Sequence, residues 1–130
     1  MKLLLDTHVF LWYITADSKL PAPFRAAIQD CDNEVFLSAA SVWEAVIKHS
    51  LGKLPLPGAP AEYLPLQRAA HGISALPVDE GAMSHLAALT PLHRDPFDRL
   101  LIAQVIQYGL TIATVDPEIA AYSVSLLPTA

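Results

Sequence analysis

The chain has 130 residues, of which 13 are acidic and 8 are Lys or Arg, so its formal net charge is −5. Hydrophobic residues make up 53% and charged residues 16% of the sequence, a composition that excludes an intrinsically disordered chain. The length fits one domain over residues 1–130, and no apolar run approaches the length of a membrane span. The net acidity argues against a protein that binds nucleic acid by charge alone.

Cys31 is the only cysteine, so the chain can form neither an internal disulfide nor a cysteine zinc site. A single thiol is typical of a reducing compartment. The apolar run at residues 3–5 stops at Asp6 and is too short for the core of a signal peptide. The sequence therefore predicts a cytoplasmic protein without a membrane segment.

Hydrophobic patterning and capping residues predict that short strands alternate with helices along the chain. The predicted strands cover residues 2–5, 35–37, 73–76, 110–113 and 124–126. The predicted helices cover residues 9–14, 22–29, 38–50, 61–71, 79–89 and 95–109, with a short one from residue 116. This alternation is typical of an α/β domain with a mainly parallel sheet covered on both faces, in which ligands bind beyond the carboxyl ends of the strands.

Polar residues at the expected helix starts define several of these boundaries. Ser38 directly follows a strand and is the preferred N-cap of its helix, although a capping box at Ser41 would start that helix later. Asp79 is the expected cap of the helix after the third strand. Asp95 and Asp116 each precede a proline, the arrangement in which a cap is followed by a proline at the first helical position.

Four acidic side chains are expected at or near the carboxyl edge of the sheet. Asp6 closes the first strand, and Asp116 lies just beyond the fourth. Glu44 lies in a helix with almost no polar face, and Asp98 lies in the first turn of its helix. Helix capping by Asp116 and the helix dipole at Asp98 are the simpler explanations for two of these acids.

Asp6 and Glu44 are harder to explain as surface acids because apolar residues flank them, and an unpaired buried carboxylate is costly. Lys, Arg and a divalent cation are the candidates that could compensate for their charge. Converging carboxylates without paired Cys or His suit Mg²⁺ or Mn²⁺ better than zinc. The sequence thus raises the possibility of a metal–carboxylate site.

Four segments carry a resemblance to a known family, and together they span nearly the whole chain. They read LLDTH at residues 4–8, LSAASVWE at 37–44, DPFDRLLIAQ at 95–104 and TVD at 114–116. In this order and spacing the sequence resembles the PIN-domain family, and within it the VapC-type ribonuclease toxins of bacterial toxin–antitoxin pairs. The resemblance implies a PIN-like three-layer sandwich, a metal-dependent endoribonuclease, a homodimer, and inhibition by a cognate VapB-type antitoxin.

The resemblance also implies a set of site residues. The acidic quartet of the family falls on residues that would be catalytic and hold Mg²⁺ or Mn²⁺: Asp6, Glu44, Asp98 and Asp116. A water activated by the ion is then expected to attack an RNA phosphate. Accessory roles, such as orienting carboxylates or pairing with a phosphate, are expected for Asp95, Thr7, Ser38, Thr114 and Arg99. Basic groups near the same edge are expected to contact the RNA backbone: Lys48, His49, Lys53, His93 and Arg94.

Other interpretations of the same residues remain open. A catalytically silent PIN-fold binding module would use the acids only as helix caps and structural groups. A PIN nuclease outside any toxin–antitoxin system is a further alternative. Phosphoaspartyl transfer at Asp6 is disfavoured because no second carboxylate lies beside Asp6 and no lysine follows Lys53.

Overall fold

A computed structural model describes all 130 residues, with five strands and seven helices. The strands are β1 (Lys2–Leu5), β2 (Glu34–Ser38), β3 (Ser74–Leu76), β4 (Thr111–Ala113) and β5 (Ser125–Leu126). The helices are α1 (Thr7–Ile14), α2 (Ala22–Gln29), α3 (Ala39–Ser50), α4 (Pro60–Ala70), α5 (Gly81–Ala88), α6 (Pro96–Tyr108) and α7 (Pro117–Ala120). The predicted alternation of strands and helices is confirmed. No helix is both long enough and apolar enough to cross a membrane.

All five strands form one parallel sheet in the order β3-β2-β1-β4-β5. The chain runs from β1 outward to β3 on one side and then returns to place β4 on the other side of β1. The switch in strand order therefore lies between β1 and β4, where ligands bind in open α/β sheets. Leu5 pairs with Ala113 in register, so Asp6 and Thr114 leave the sheet side by side at this switch point.

Alternating side chains of the strands fill two cores, one on each face of the sheet. Leu3 and Leu5 of β1 join the core formed with α1, α2 and α4. Leu4 joins the opposite core, formed with α5, α6 and α7. Helix α3 contributes to both cores, through Ala45 to the first and Ala40 to the second. The sheet is thus the middle layer of a three-layer α/β sandwich, as predicted.

Side-chain caps fix the start of three helices that surround the switch point. Ser38 Oγ accepts a hydrogen bond from the backbone N–H two residues later at 3.0 Å. Asp95 and Asp116 do the same at 2.9 Å and 2.8 Å. Helix α6 ends at Gly109, whose φ of 64° is the left-handed conformation that favours glycine. All four assignments agree with the sequence prediction.

The start of α5 differs from the prediction. The helix begins at Gly81 with Glu80 in the N-cap position, so Asp79 is not the cap residue. The Asp79 carboxylate instead accepts hydrogen bonds from Gln107 Nε2 at 2.8 Å and from the Tyr108 hydroxyl at 2.6 Å. These bonds lower the pKa of Asp79. A tertiary contact with the end of α6 therefore occupies the carboxylate that the sequence pattern assigned to a local cap.

Candidate active site

A cavity of about 280 Å³ opens at the switch point, beyond the carboxyl ends of β1 and β4. Its wall includes every acid of the predicted quartet: Asp6, Glu44, Asp98 and Asp116. Asp95 and Glu118 add two further carboxylates to the same wall. The remaining lining residues are His8, Trp12, Lys48, His93 and Val115. Residues from four separate parts of the sequence thus meet in one small space.

Asp6 directly follows β1, and its side chain is buried. The Thr114 hydroxyl donates a hydrogen bond to Asp6 Oδ2 at 2.7 Å, while Thr114 Oγ1 accepts one from the Asp116 backbone N–H at 3.1 Å. Burial raises the pKa of Asp6, the bond from Thr114 lowers it in part, and the charges of Glu44 and Asp116 raise it further. The charged form of Asp6 is therefore disfavoured unless a cation lies nearby.

Glu44 is buried in α3, and both of its carboxylate oxygens have partners. Thr7 Oγ1 lies 2.8 Å from Glu44 Oε1 and 2.9 Å from the hydroxyl oxygen of Ser41. Lys48, one helical turn later, pairs with Glu44 Oε2. Burial lowers the pKa of Lys48, but the bond to Glu44 and the charges of nearby acids raise it by more. Lys48 is thus the cation that compensates for the charge of Glu44.

Asp98 and His93 form the opposite wall of the cavity. His93 Nε2 lies 2.8 Å from Asp98 Oδ2, and His93 Nδ1 lies 2.8 Å from Glu118 Oε2. Ligand atoms of His93, Asp98 and Asp116 all lie within 4.8 Å of one another. The imidazole therefore bridges an acid at the start of α6 and an acid in α7.

The same wall strongly perturbs the protonation of Asp98. Burial raises the pKa of Asp98 to about 7, and the charges of Asp6, Asp95 and Glu44 add to the rise, whereas the bond from His93 opposes it. Burial lowers the pKa of His93, but its carboxylate neighbours raise it by more. The cavity thus holds more negative charge than its own basic groups balance.

The loop that carries His93 is fixed from outside the cavity. The His93 backbone N–H donates a hydrogen bond to the Tyr122 hydroxyl at 2.9 Å. Arg99 Nη1 donates to the carbonyls of His93 and Thr90 at 3.4 Å and to the Tyr122 hydroxyl at 3.3 Å. Arg99 does not line the cavity and pairs with no carboxylate, whereas its expected pairing with a phosphate stays a prediction. Its guanidinium holds the loop beside the acids.

Ser38 lies behind the cavity and does not line it. Its hydroxyl donates a hydrogen bond to Gln104 Oε1 at 2.5 Å, and Gln104 Nε2 donates to the Pro77 carbonyl at 3.1 Å. Gln104 is fully buried in α6. Because the Ser38–Gln104 bond joins the start of α3 to α6, Ser38 affects the relative position of Glu44 and Asp98 through the helices that carry them.

Two of the five basic groups expected to contact RNA, Lys48 and His93, lie in the cavity wall and bind acids there. Arg94 is exposed next to His93. His49 Nδ1 contacts a backbone carbonyl at 2.9 Å, and Lys53 is exposed; neither lines the cavity. The spacing of Lys48 four residues after Glu44 was a detectable signal for their ion pair. Nothing local in the sequence indicates the contacts of His93 with two acids.

The donor set of the cavity fits a divalent cation. Its six carboxylates face one lysine and two histidines. Carboxylate oxygens are hard ligands of the kind that Mg²⁺ and Mn²⁺ prefer. Burial and mutual repulsion raise the pKa of Asp6 and of Asp98, and a divalent cation would relieve both effects. The residues present are therefore suited to hold such an ion.

The fold and the acidic cavity define a member of a known family of α/β domains. Residues 3–124 match the family model of the PIN domain, and the chain belongs to the PIN-domain family. Ribonuclease VapC16 of Mycobacterium tuberculosis is 45% identical to the chain over 64 residues. That alignment covers 49% of this chain and 45% of the relative, so the chain matches less than half of the relative's length.

Three solved structures share this fold. VapBC2 from Rickettsia felis, bound to a DNA fragment from its promoter, gives a TM-score of 0.69 at 14% identity and covers 97% of both chains. FitAB bound to a DNA fragment gives 0.64 at 19% identity, over 98% of this chain and 94% of that chain. FitAcB from Neisseria gonorrhoeae gives 0.63 at 23% identity, over 98% and 97%. At these identities the likeness shows the fold.

Proposed function

We propose that the protein is a metal-dependent endoribonuclease and the toxin component of a toxin–antitoxin pair. The observation that carries this proposal is the convergence of the acidic quartet on one cavity at the switch point of a PIN fold. The partial match to a ribonuclease supports RNA as the substrate. Mg²⁺ and Mn²⁺ are the cofactors that the oxygen-rich donor set suits.

Each acid of the quartet has a distinct position around the ion in this proposal. Asp6, Glu44 and Asp98 would hold the ion, and Asp116 would complete the site directly or through a water. When bound, the ion supplies a Lewis acid that activates a water and stabilises the leaving oxygen of the phosphodiester. No covalent intermediate with the acids is needed, because water would be the nucleophile.

Neighbouring side chains orient these acids through hydrogen bonds and an ion pair. The hydroxyls of Thr7 and Thr114 bond to Glu44 and Asp6, and they restrict the rotation of the two carboxylates. Lys48 pairs with Glu44 and would reduce the repulsion that a phosphate meets at the acids. The exposed Arg94 is placed to contact the phosphate backbone of an RNA strand that enters the cavity.

We also infer a cognate VapB-type antitoxin and a homodimer. The neighbouring structures of VapBC2 and FitAB support a protein partner of this kind. Exposed apolar residues on and just after α3 also support a surface that a partner chain would cover. Trp43 is 54% exposed, and Leu51, the residue after the helix, is 62% exposed. Large apolar side chains exposed together are typical of surfaces that bind another chain. Co-purification with the product of an adjacent short reading frame would test this inference.

RNA cleavage by the purified protein tests the central proposal. Labelled single-stranded RNA should be cut in the presence of Mn²⁺ or Mg²⁺ and left intact with a chelator. Asp6→Asn should lower the rate by at least roughly 100-fold, because it removes a charged oxygen donor from the ion. Asp32→Asn makes the same change at an exposed site beyond the amino end of β2 and should leave the rate unchanged.

The result can also favour the catalytically silent alternative. Glu44 already pairs with Lys48, which is the observation that favours a site able to exist without an ion. Ion binding without cleavage would identify a binding module. Cleavage that persists in chelator would contradict the metal dependence, and full activity of Asp6→Asn would contradict the assignment of the site.

A further inference from the structure

The ring of His93 occupies a fixed position between the acids of the cavity. Its side chain is only 9% exposed, and backbone bonds to Tyr122 and Arg99 anchor the loop on both sides of the residue. The ring points inward, so that Nε2 lies 2.8 Å from Asp98 Oδ2. A histidine held in this way has lost most of its freedom to reorient before any ligand arrives.

The spacing of three polar atoms in this wall matches the spacing of ligands on one ion. One ring nitrogen of His93 and carboxylate oxygens of Asp98 and Asp116 lie within 4.8 Å of one another. An octahedral ion with bonds of roughly 2.1 Å separates adjacent ligand atoms by about 3 Å and opposite ones by about 4 Å. The upper bound of 4.8 Å is slightly longer than the latter distance, so a small rotation of the side chains would let all three residues share an ion.

Glu118 supports the ring from behind. Its carboxylate lies 2.8 Å from His93 Nδ1, and the Arg94 backbone N–H donates a hydrogen bond to the same atom at 3.1 Å. The ring can satisfy either neighbour, because a proton on Nδ1 donates to Glu118 and a lone pair there accepts from Arg94. With the proton on Nδ1, Nε2 is left to face the acids, which is the arrangement that carboxylates impose on metal-binding histidines.

We propose that His93 is a nitrogen ligand of the divalent ion in this cavity and makes the site prefer Mn²⁺ to Mg²⁺. The inference rests on the metal site of the proposed function and goes beyond it, since the acidic quartet alone supplies only oxygen ligands. Imidazole nitrogen suits transition metals, whereas Mg²⁺ binds almost entirely through oxygen. The ion takes the place of the proton that the Nε2 and Oδ2 atoms share when no ion is bound.

Pulsed electron paramagnetic resonance of the full chain loaded with Mn²⁺ tests this proposal without an activity assay. A nitrogen bonded to the ion gives a hyperfine coupling, and replacing ¹⁴N by ¹⁵N in histidine alone should change its pattern. This measurement uses the unaltered protein, so it does not depend on whether a variant folds. A Mn²⁺ signal without any histidine coupling would overturn the proposal while leaving the proposed nuclease intact.

Two matched variants identify which histidine is responsible, since His8 also lines the cavity. His93→Gln should abolish the nitrogen coupling and weaken Mn²⁺ binding by roughly 10- to 100-fold, with a much smaller change for Mg²⁺. His8→Gln should retain the coupling. Loss of the coupling in His8→Gln, or equal weakening of both ions in His93→Gln, would contradict the assignment to His93.

Calorimetric titrations with each ion separate this inference from the proposed function. Wild-type protein should bind Mn²⁺ at least about tenfold more tightly than Mg²⁺. Equal affinities for the two ions would overturn the selectivity that we infer, even if RNA cleavage were observed. No binding of either ion would contradict the metal-dependent function itself, and with it the role of His93.

Discussion

Asp6 and Glu44, on the β1 and α3 side of the cavity, receive hydrogen bonds from threonine hydroxyls and an ion pair from a lysine. Asp98, on the α6 and α7 side, meets instead a histidine that it shares with Glu118. In the first half, fixed donors therefore compensate Glu44 and, in part, Asp6, whereas one titratable ring compensates the second half. The comparison indicates that an ion contributes most on the α6 and α7 side.

Among the variants in this comparison, Asp98→Asn should have the largest effect on ion binding and cleavage, because it removes a charge from the α6 and α7 side of the cavity. Mn²⁺ affinity and RNA cleavage should each fall by at least roughly 100-fold. Stability without an ion should not fall, because the buried carboxylate is disfavoured in its charged form and an amide can still bond to His93. Calorimetry and thermal unfolding in chelator measure the two effects. Tight Mn²⁺ binding by the variant would show that the two halves do not differ as proposed.

Lys48→Met, in the half that contains Glu44, should have a smaller effect, and that effect should be on stability rather than on ion affinity. Loss of the ammonium leaves the buried Glu44 carboxylate without its cation, which should lower the free energy of unfolding by about 1 to 3 kcal/mol in chelator. Mn²⁺ should reduce this deficit, because the ion replaces the lost positive charge. Denaturant unfolding with and without Mn²⁺ measures it.

Lys53→Met is the matched control, because Lys53 is exposed and does not line the cavity. It should leave the unfolding free energy nearly unchanged under both conditions. An equal loss of stability in Lys48→Met with and without Mn²⁺ would mean that no ion binds near Glu44.

The contrast between the two halves also separates what the sequence could predict from what it could not. Asp6 at the end of an apolar run and the caps Asp95 and Asp116 before prolines are local signals, and local chemistry determines where those residues lie. The contact of His93 with Glu118 joins a loop to a helix 25 residues later. No periodicity or spacing rule encodes such a contact, because it depends on how Arg99 and Tyr122 fix the loop.

The same distinction applies to carboxylates outside the cavity. Asp79 was predicted to cap α5, and its position just before the helix made that expectation reasonable. The side chain instead bonds to Gln107 and Tyr108 of α6, which are 28 and 29 residues away in sequence. A local rule could find the helix but could not anticipate that packing of α5 on α6 offers the carboxylate two other donors.

Thr114→Val should have a moderate effect, because it removes one buried hydroxyl from the compensated half while keeping the shape of the side chain. Asp6 loses the bond at 2.7 Å, and the Asp116 backbone N–H loses its acceptor. We expect a loss of about 1 kcal/mol of stability and roughly tenfold weaker Mn²⁺ binding. Unchanged Mn²⁺ affinity would show that the hydroxyl does not orient Asp6 for the ion.

The smallest effect is expected from Glu118→Gln, which alters the group behind His93 in the other half. Thr114 is buried, whereas the Glu118 side chain is 64% exposed, so water can replace much of what the carboxylate provides. Mn²⁺ affinity should fall by less than about threefold. Thr114→Val removes a hydrogen-bond partner of Asp6, and Glu118→Gln alters a partner of His93. The two partners differ mainly in how exposed they are to solvent. If calorimetry showed equal losses, orientation of the ligand rather than burial of its partner would determine how tightly each half holds the ion.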